Sequence, residues 1–224
     1  AVASIYAFIV AVFIYRDMGP LAAQNGQGKK NLLQKPTALV TAFFHKDTQT
    51  TLFEAGEKVA VGEPGYPSYR NILKALSLEP VGIETKAENR FQPVLQDIED
   101  IEDLAGLLVA SPANPSGTML DRDALKLLMD HCAQRDIAFI SDEIYHGIQY
   151  EGRAVSALEI SDDVFVINSF SKYFSMTGWR IGYIGAPTYI ARACNKLQGQ
   201  VTSGANCIAQ RAVITALTES PSRI

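Results

Sequence analysis

The chain has 224 residues, a net charge of −4, 47% hydrophobic residues and 20% charged residues. This apolar content excludes a disordered polymer and is enough to bury a large core. The acidic balance gives no electrostatic basis for binding nucleic acid or an anionic membrane.

Residues 1–15 (AVASIYAFIVAVFIY) are apolar and uncharged. The run is shorter than the roughly 20 residues of a membrane helix. It also lacks the basic flank and small-residue cleavage site of a signal peptide. A buried helix is expected there. Residues 16–51 show little periodicity, and the stretch 1–51 is assigned to no architecture. From residue 52 short apolar runs alternate with amphipathic ones. Strands are predicted at 58–62 (KVAVG), 81–85, 106–110 (GLLVA), 137–141, 164–168 (VFVIN) and 181–185. Helices are predicted from the loop at 63–67 to about Ser77, over 92–103, from an Asp121 cap to Arg135, from Tyr189 to about Leu197, and over 208–217. Strand, loop and helix in repetition argue one α/β domain over 52–224, with a mostly parallel sheet and helices on both faces.

The three cysteines, Cys132, Cys194 and Cys207, have neither a CxxC pair nor metal-ligand spacing. They are read as buried small hydrophobes in a reducing compartment, the cytoplasm, and no metal is expected.

In parallel sheets ligands sit beyond the carboxyl ends of the strands. The residues capable of chemistry fall just after predicted strands: Tyr66, Asn114, Asp142 with Tyr145, and Ser169 with Ser171 and Lys172. A lysine at such a place is a surface charge or a desolvated nucleophilic amine. Asp142 at a strand end is a helix cap, a salt-bridge partner or a functional acid. Arg180, eight residues beyond Lys172, is able with the serine hydroxyls to bind a phosphate.

Together these segments resemble the class I aminotransferases among the fold-type-I enzymes of pyridoxal 5′-phosphate (PLP). The matching pieces are GEPGYPSY at 62–69, SPANPSGT at 111–118, SDEIYHGIQYEG at 141–152, SFSKYFSMTGWRIGY at 169–183 and KLQGQVTSGANCIAQRA at 196–212. The resemblance implies the large PLP-binding domain of that fold, present in part. It implies Lys172 as the catalytic Schiff-base lysine and Asp142 as the partner of the pyridine nitrogen. Tyr145 and Asn114 are implied at the phenolic oxygen, Tyr66 against the ring face, and Ser169 and Arg180 at the phosphate. The implied reaction moves an amino group between an L-amino acid and a 2-oxo acid, in a homodimer. His146, beside these residues, is given no role.

Residues 1–51 do not resemble the family. Where it carries a Ser/Gly-rich phosphate-binding turn, this chain reads LVTAFFHKDTQTT. The small C-terminal domain, with its carboxylate-clamping arginine, has no counterpart before Ile224. Alternatives are a PLP lyase, synthase or decarboxylase of the same fold, or an inactive truncated copy. A dinucleotide-binding domain is disfavoured by the missing G-x-G-x-x-G. A DNA-binding regulator is disfavoured by the missing basic helix-turn-helix.

Overall fold

The computed structural model describes residues 38–40 and 52–219. The helix expected over residues 1–15 lies outside them. The strands are β1 (Ala38–Val40), β2 (Lys58–Glu63), β3 (Glu79–Glu84), β4 (Leu104–Ala110), β5 (Ala138–Asp142), β6 (Phe165–Ser169) and β7 (Gly182–Ala186). The α-helices are α1 (Pro67–Ala75), α2 (Arg122–Gln134), α3 (Thr188–Thr202) and α4 (Cys207–Thr218).

Val59, Ala60 and Val61 are buried in succession, as are Leu107, Leu108 and Val109. Such runs mark strands covered on both faces. On one face Val59, Val61, Leu108, Ile140 and Phe165 pack against Leu73 of α1 and Ala191 and Cys194 of α3. On the other, Ala60, Leu107, Val109, Phe139 and Val166 pack against Leu125, Leu128, Met129 and Cys132 of α2. The alternation follows from the two-residue period of a strand. Helix α2 starts where the sequence says it should: the Asp121 carboxylate accepts from the Ala124 amide at 2.8 Å.

All seven strands form one sheet in the order β1-β7-β6-β5-β4-β2-β3. The pairs β2–β3, β2–β4, β4–β5 and β5–β6 are parallel. Both antiparallel pairs involve β7, with β6 on one side and β1 on the other. The expected mostly parallel sheet with helices on both faces is therefore present. Strand β1 falls in the stretch assigned to no architecture.

Two expectations are corrected. Residues 92–103 form no α-helix, only a single 3-10 turn at Leu95–Asp97. The cause is tertiary. The Gln92 side chain is buried and its amide donates to the Thr118 carbonyl at 2.8 Å. Val94 is extended, and its amide is taken by the Asp97 carboxylate at 2.9 Å. Cys132 and Cys194 are buried as expected, but Cys207 is exposed at the start of α4. Burial pushes the Cys132 thiol up to about 12 and the Cys194 thiol up to about 11, so both are inert small hydrophobes.

Leu107 has no exposed surface at the centre of β4. Leu107→Ala is expected to cost about 2–5 kcal/mol. Urea unfolding should show the midpoint falling with little change in slope.

Candidate active site

Three parallel strands end side by side and fix where the functional groups emerge. Ala110 of β4 is in register with Asp142 of β5, and Asp142 with Ile167 of β6. The loops after β2, β4, β5 and β6 then supply Tyr66, Asn114, Tyr145 and Lys172 from the same edge.

Asp142 is the last residue of β5 and only 5% exposed. Its Oδ1 accepts from the Ile144 amide at 3.0 Å. Its Oδ2 accepts from the Tyr69 hydroxyl. Burial pushes the carboxyl up, and the Tyr69 and Ile144 donors and the His146 charge pull it back. Burial, reinforced by the Asp142 charge, also drives the Tyr69 phenol well above its ordinary range, so it stays a donor. No lysine or arginine forms an ion pair with Asp142 among the described residues.

Tyr69, which holds Asp142, is not among the residues that the sequence singles out. Tyr66 caps α1, and Tyr69 lies one turn in, so the two share a face. Their rings meet edge to face at 5.4 Å. The signal was the i, i+3 tyrosine spacing in GYPSY.

Asn114 and Tyr145 come together: the Asn114 amide donates to the Tyr145 hydroxyl at 3.3 Å. The Lys172 amine lies 5.5 Å from the centre of the Tyr145 ring. The lysine loop is held from several sides. The Ser175 amide donates to the Lys172 carbonyl at 3.0 Å, and the Thr177 hydroxyl to the Ser171 carbonyl at 2.8 Å. Beneath it Phe170, Met176 and Ile181 pack on Ala209 and Val213 of α4. Gly147, at φ +93°, lets the Tyr173 ring come so close that a Cβ would lie 2.5 Å from it. That approach brings the Tyr145 segment against the Lys172 segment.

Ser169 and Arg180 form a third group. The Ser169 hydroxyl lies 2.9 Å from that of Ser171 and 3.2 Å from the Ile181 carbonyl. Arg180 is left-handed, at φ 53°, and donates to the Thr177 carbonyl at 2.8 Å. The seven predicted residues thus fall into three sets: Tyr66 and Asp142 joined through Tyr69, Asn114 with Tyr145 and Lys172, and the Ser169–Arg180 segment.

The donor set fits PLP. A buried carboxylate held by neutral donors suits a protonated ring nitrogen. An amide–phenol pair suits a phenolate oxygen. A lysine amine suits an aldehyde, and serine with arginine suits a phosphate.

A doubly covered, mostly parallel sheet with a lysine, a buried acid and a serine–arginine segment at its carboxyl edge has the architecture in which α/β enzyme domains bind their ligands. The family model for aminotransferase class I and II matches residues 45–224. The chain belongs to that family. It is 44% identical over 169 residues to the valine–pyruvate aminotransferase of Mycobacterium tuberculosis, covering 74% of this chain and 44% of the relative. A crystal structure of an aminotransferase from M. tuberculosis matches with a TM-score of 0.75 at 39% identity, over 84% of this chain and 52% of that one. Aspartate aminotransferase from Thermus thermophilus, solved with maleate, matches with a TM-score of 0.75 at 29% identity, over 81% and 49%. The chain spans about half the length of the relatives it matches.

The Tyr69 hydroxyl makes a pH prediction. The folded Asp142 carboxyl sits above its unfolded value of about 3.9. Its contribution is therefore fully present below that value and is lost as pH rises through the folded one. Tyr69→Phe removes a donor that lowers the folded value. The variant should lose about 2 kcal/mol at neutral pH and fall more steeply than wild type above pH ~4. Urea midpoints from pH 4 to 8 measure this; parallel curves for the two proteins would refute it.

Proposed function

We propose that the whole protein is a PLP-dependent transaminase that moves an amino group between an L-amino acid and a 2-oxo acid. The observation that carries it is Asp142: a carboxylate buried at a strand end, held by a phenol and an amide, in the loop cluster that carries Lys172. A buried acid with that environment calls for a cationic partner from a ligand. Family membership narrows the ligand to the cofactor of the aminotransferases.

PLP supplies an aldehyde that condenses with amines and a ring that draws electrons from the adjoining carbon. The chain's residues bind and orient it. Lys172 would hold it through Nζ, and the lysine amine, once freed, would carry the proton of the substrate α-carbon to the cofactor carbon that bore the aldehyde. Asp142 keeps the proton on the ring nitrogen. Asn114 and Tyr145 would hold the phenolic oxygen, Tyr66 would face the ring, and Ser169 and Arg180 would hold the phosphate. The amino acid and the 2-oxo acid are proposed as classes.

The reading includes a homodimer in the cytoplasm. In support of the dimer, α4 exposes Ile208, Ile214 and Leu217, and Trp179 is 45% exposed in a cavity shared with Ile208. No helix among the described residues is long and apolar enough to cross a membrane.

An absorption spectrum of the chain with PLP tests the assignment. A visible band unlike that of free PLP should form, should be absent in Lys172→Ala, and should bleach on addition of an amino acid donor. A wild-type spectrum matching that of the Lys172→Ala protein would defeat the proposal.

A further inference from the structure

Next to Asp142 and Tyr145 in the chain stand two ionisable groups with no part in these roles. Glu143 follows Asp142, and His146 follows Tyr145. Their side chains are only 4% and 18% exposed. Glu143 is fixed by its backbone, whose amide donates to the Ile167 carbonyl at 2.8 Å. Its Oε1 accepts twice, from the Ser141 hydroxyl at 3.1 Å and from the Ala157 amide at 2.8 Å. Its Oε2 stands 3.5 Å from His146 Nδ1. On the far side of the ring, Nε2 lies 2.9 Å from the Ser111 carbonyl oxygen.

Hydrogen-bond chemistry limits where the protons sit. A carbonyl only accepts, so Nε2 carries a proton and donates it to Ser111. Oε1 already takes two donors. Oε2 and Nδ1 face each other, and two acceptors facing without a proton between them would repel. One proton on Nδ1 turns the contact into an ion pair with no net charge. Burial pushes the Glu143 carboxyl up, and the His146 charge with the Ala157, Ser156 and Ser141 donors pulls it back. The same histidine charge acts on Asp142, and the Tyr183 phenol also feels Glu143.

The ring bridges two segments of the proposed site. Ser111 opens the loop that carries Asn114. Its amide donates to the Asp142 carbonyl at 3.2 Å, and its hydroxyl accepts from the Leu120 amide at 3.0 Å. Glu143 and His146 belong to the segment that carries Asp142 and Tyr145. The Asn114–Tyr145 contact, at 3.3 Å, spans the two.

Building on the cofactor assignment, we propose that Glu143 and His146 are a positioning pair. Protonated at both nitrogens, His146 clamps the Asn114 loop to the Asp142–Tyr145 segment, so that the groups for the phenolic oxygen and the ring nitrogen stay in register.

The test starts without cofactor. The chain has three histidines, His45, His131 and His146. Nitrogen NMR of the histidine-labelled chain, assigned with His146→Gln, should show both His146 nitrogens protonated at pH 7. In Glu143→Gln, which keeps an oxygen for the Ser141 and Ala157 donors, Nδ1 should lose its proton and Nε2 keep it. A neutral His146 ring in the wild type, or one unchanged in Glu143→Gln, overturns the shared proton. With PLP, Glu143→Gln and His146→Gln should each bind about tenfold more weakly while the Lys172-dependent band still forms. Unchanged affinity in either folded variant overturns the positioning role. If the wild type forms no Lys172-dependent band, the cofactor assignment fails and the positioning role with it, while the ligand-free spectra still decide the proton.

Discussion

The site depends on the burial of one carboxylate. Asp142 ends the central strand β5 with almost no contact with water. An uncompensated charge there would be strongly destabilising. The chain answers with donors from two elements: the Tyr69 hydroxyl from α1 and the Ile144 amide from its own loop. His146 adds a favourable field from one turn further on. Neutral donors satisfy the oxygens without cancelling the charge. Among the described residues no lysine or arginine occupies the place of a cationic ligand atom beside Asp142.

The sheet makes that arrangement possible. Parallel strands share one carboxyl edge, so the groups after β2, β4, β5 and β6 converge although they are far apart in sequence. Strand β7 then runs back antiparallel to β6, so the segment between them is a closed excursion across that edge. Lys172 rides on this segment, and its position is set by packing below as much as by hydrogen bonds within. Phe170, Met176 and Ile181 bury against α4, and Tyr173 lies against Gly147. The segment that carries the lysine is thus packed on both sides.

Membership of the aminotransferase family gives this geometry its chemical context. The chain spans about half the length of its relatives, and the described contacts gather around the groups assigned to the cofactor.

Much of the fold was legible in the sequence, because strands buried on both faces read as unbroken apolar runs. KVAVG and GLLVA became β2 and β4 almost residue for residue, and Asp121 announced α2 through its side-chain oxygen. The places of the candidate residues were legible too, since Tyr66, Asn114, Asp142, Tyr145, Ser169 and Lys172 stand at or just after the ends of strands in motifs of unusual composition. Residues 92–103 were misread because Gln92 is claimed by a loop more than twenty residues away, and no local pattern carries that contact. Tyr69 was passed over because its role needs Asp142, 73 residues further on, to be brought beneath it. The sequence alone therefore determined strands β2 to β7 and the groups that stand at their ends, while β1 was not legible in it. Only the tertiary structure decided which of those groups touch, because hydrogen bonds and burial at the site join residues that share no local periodicity.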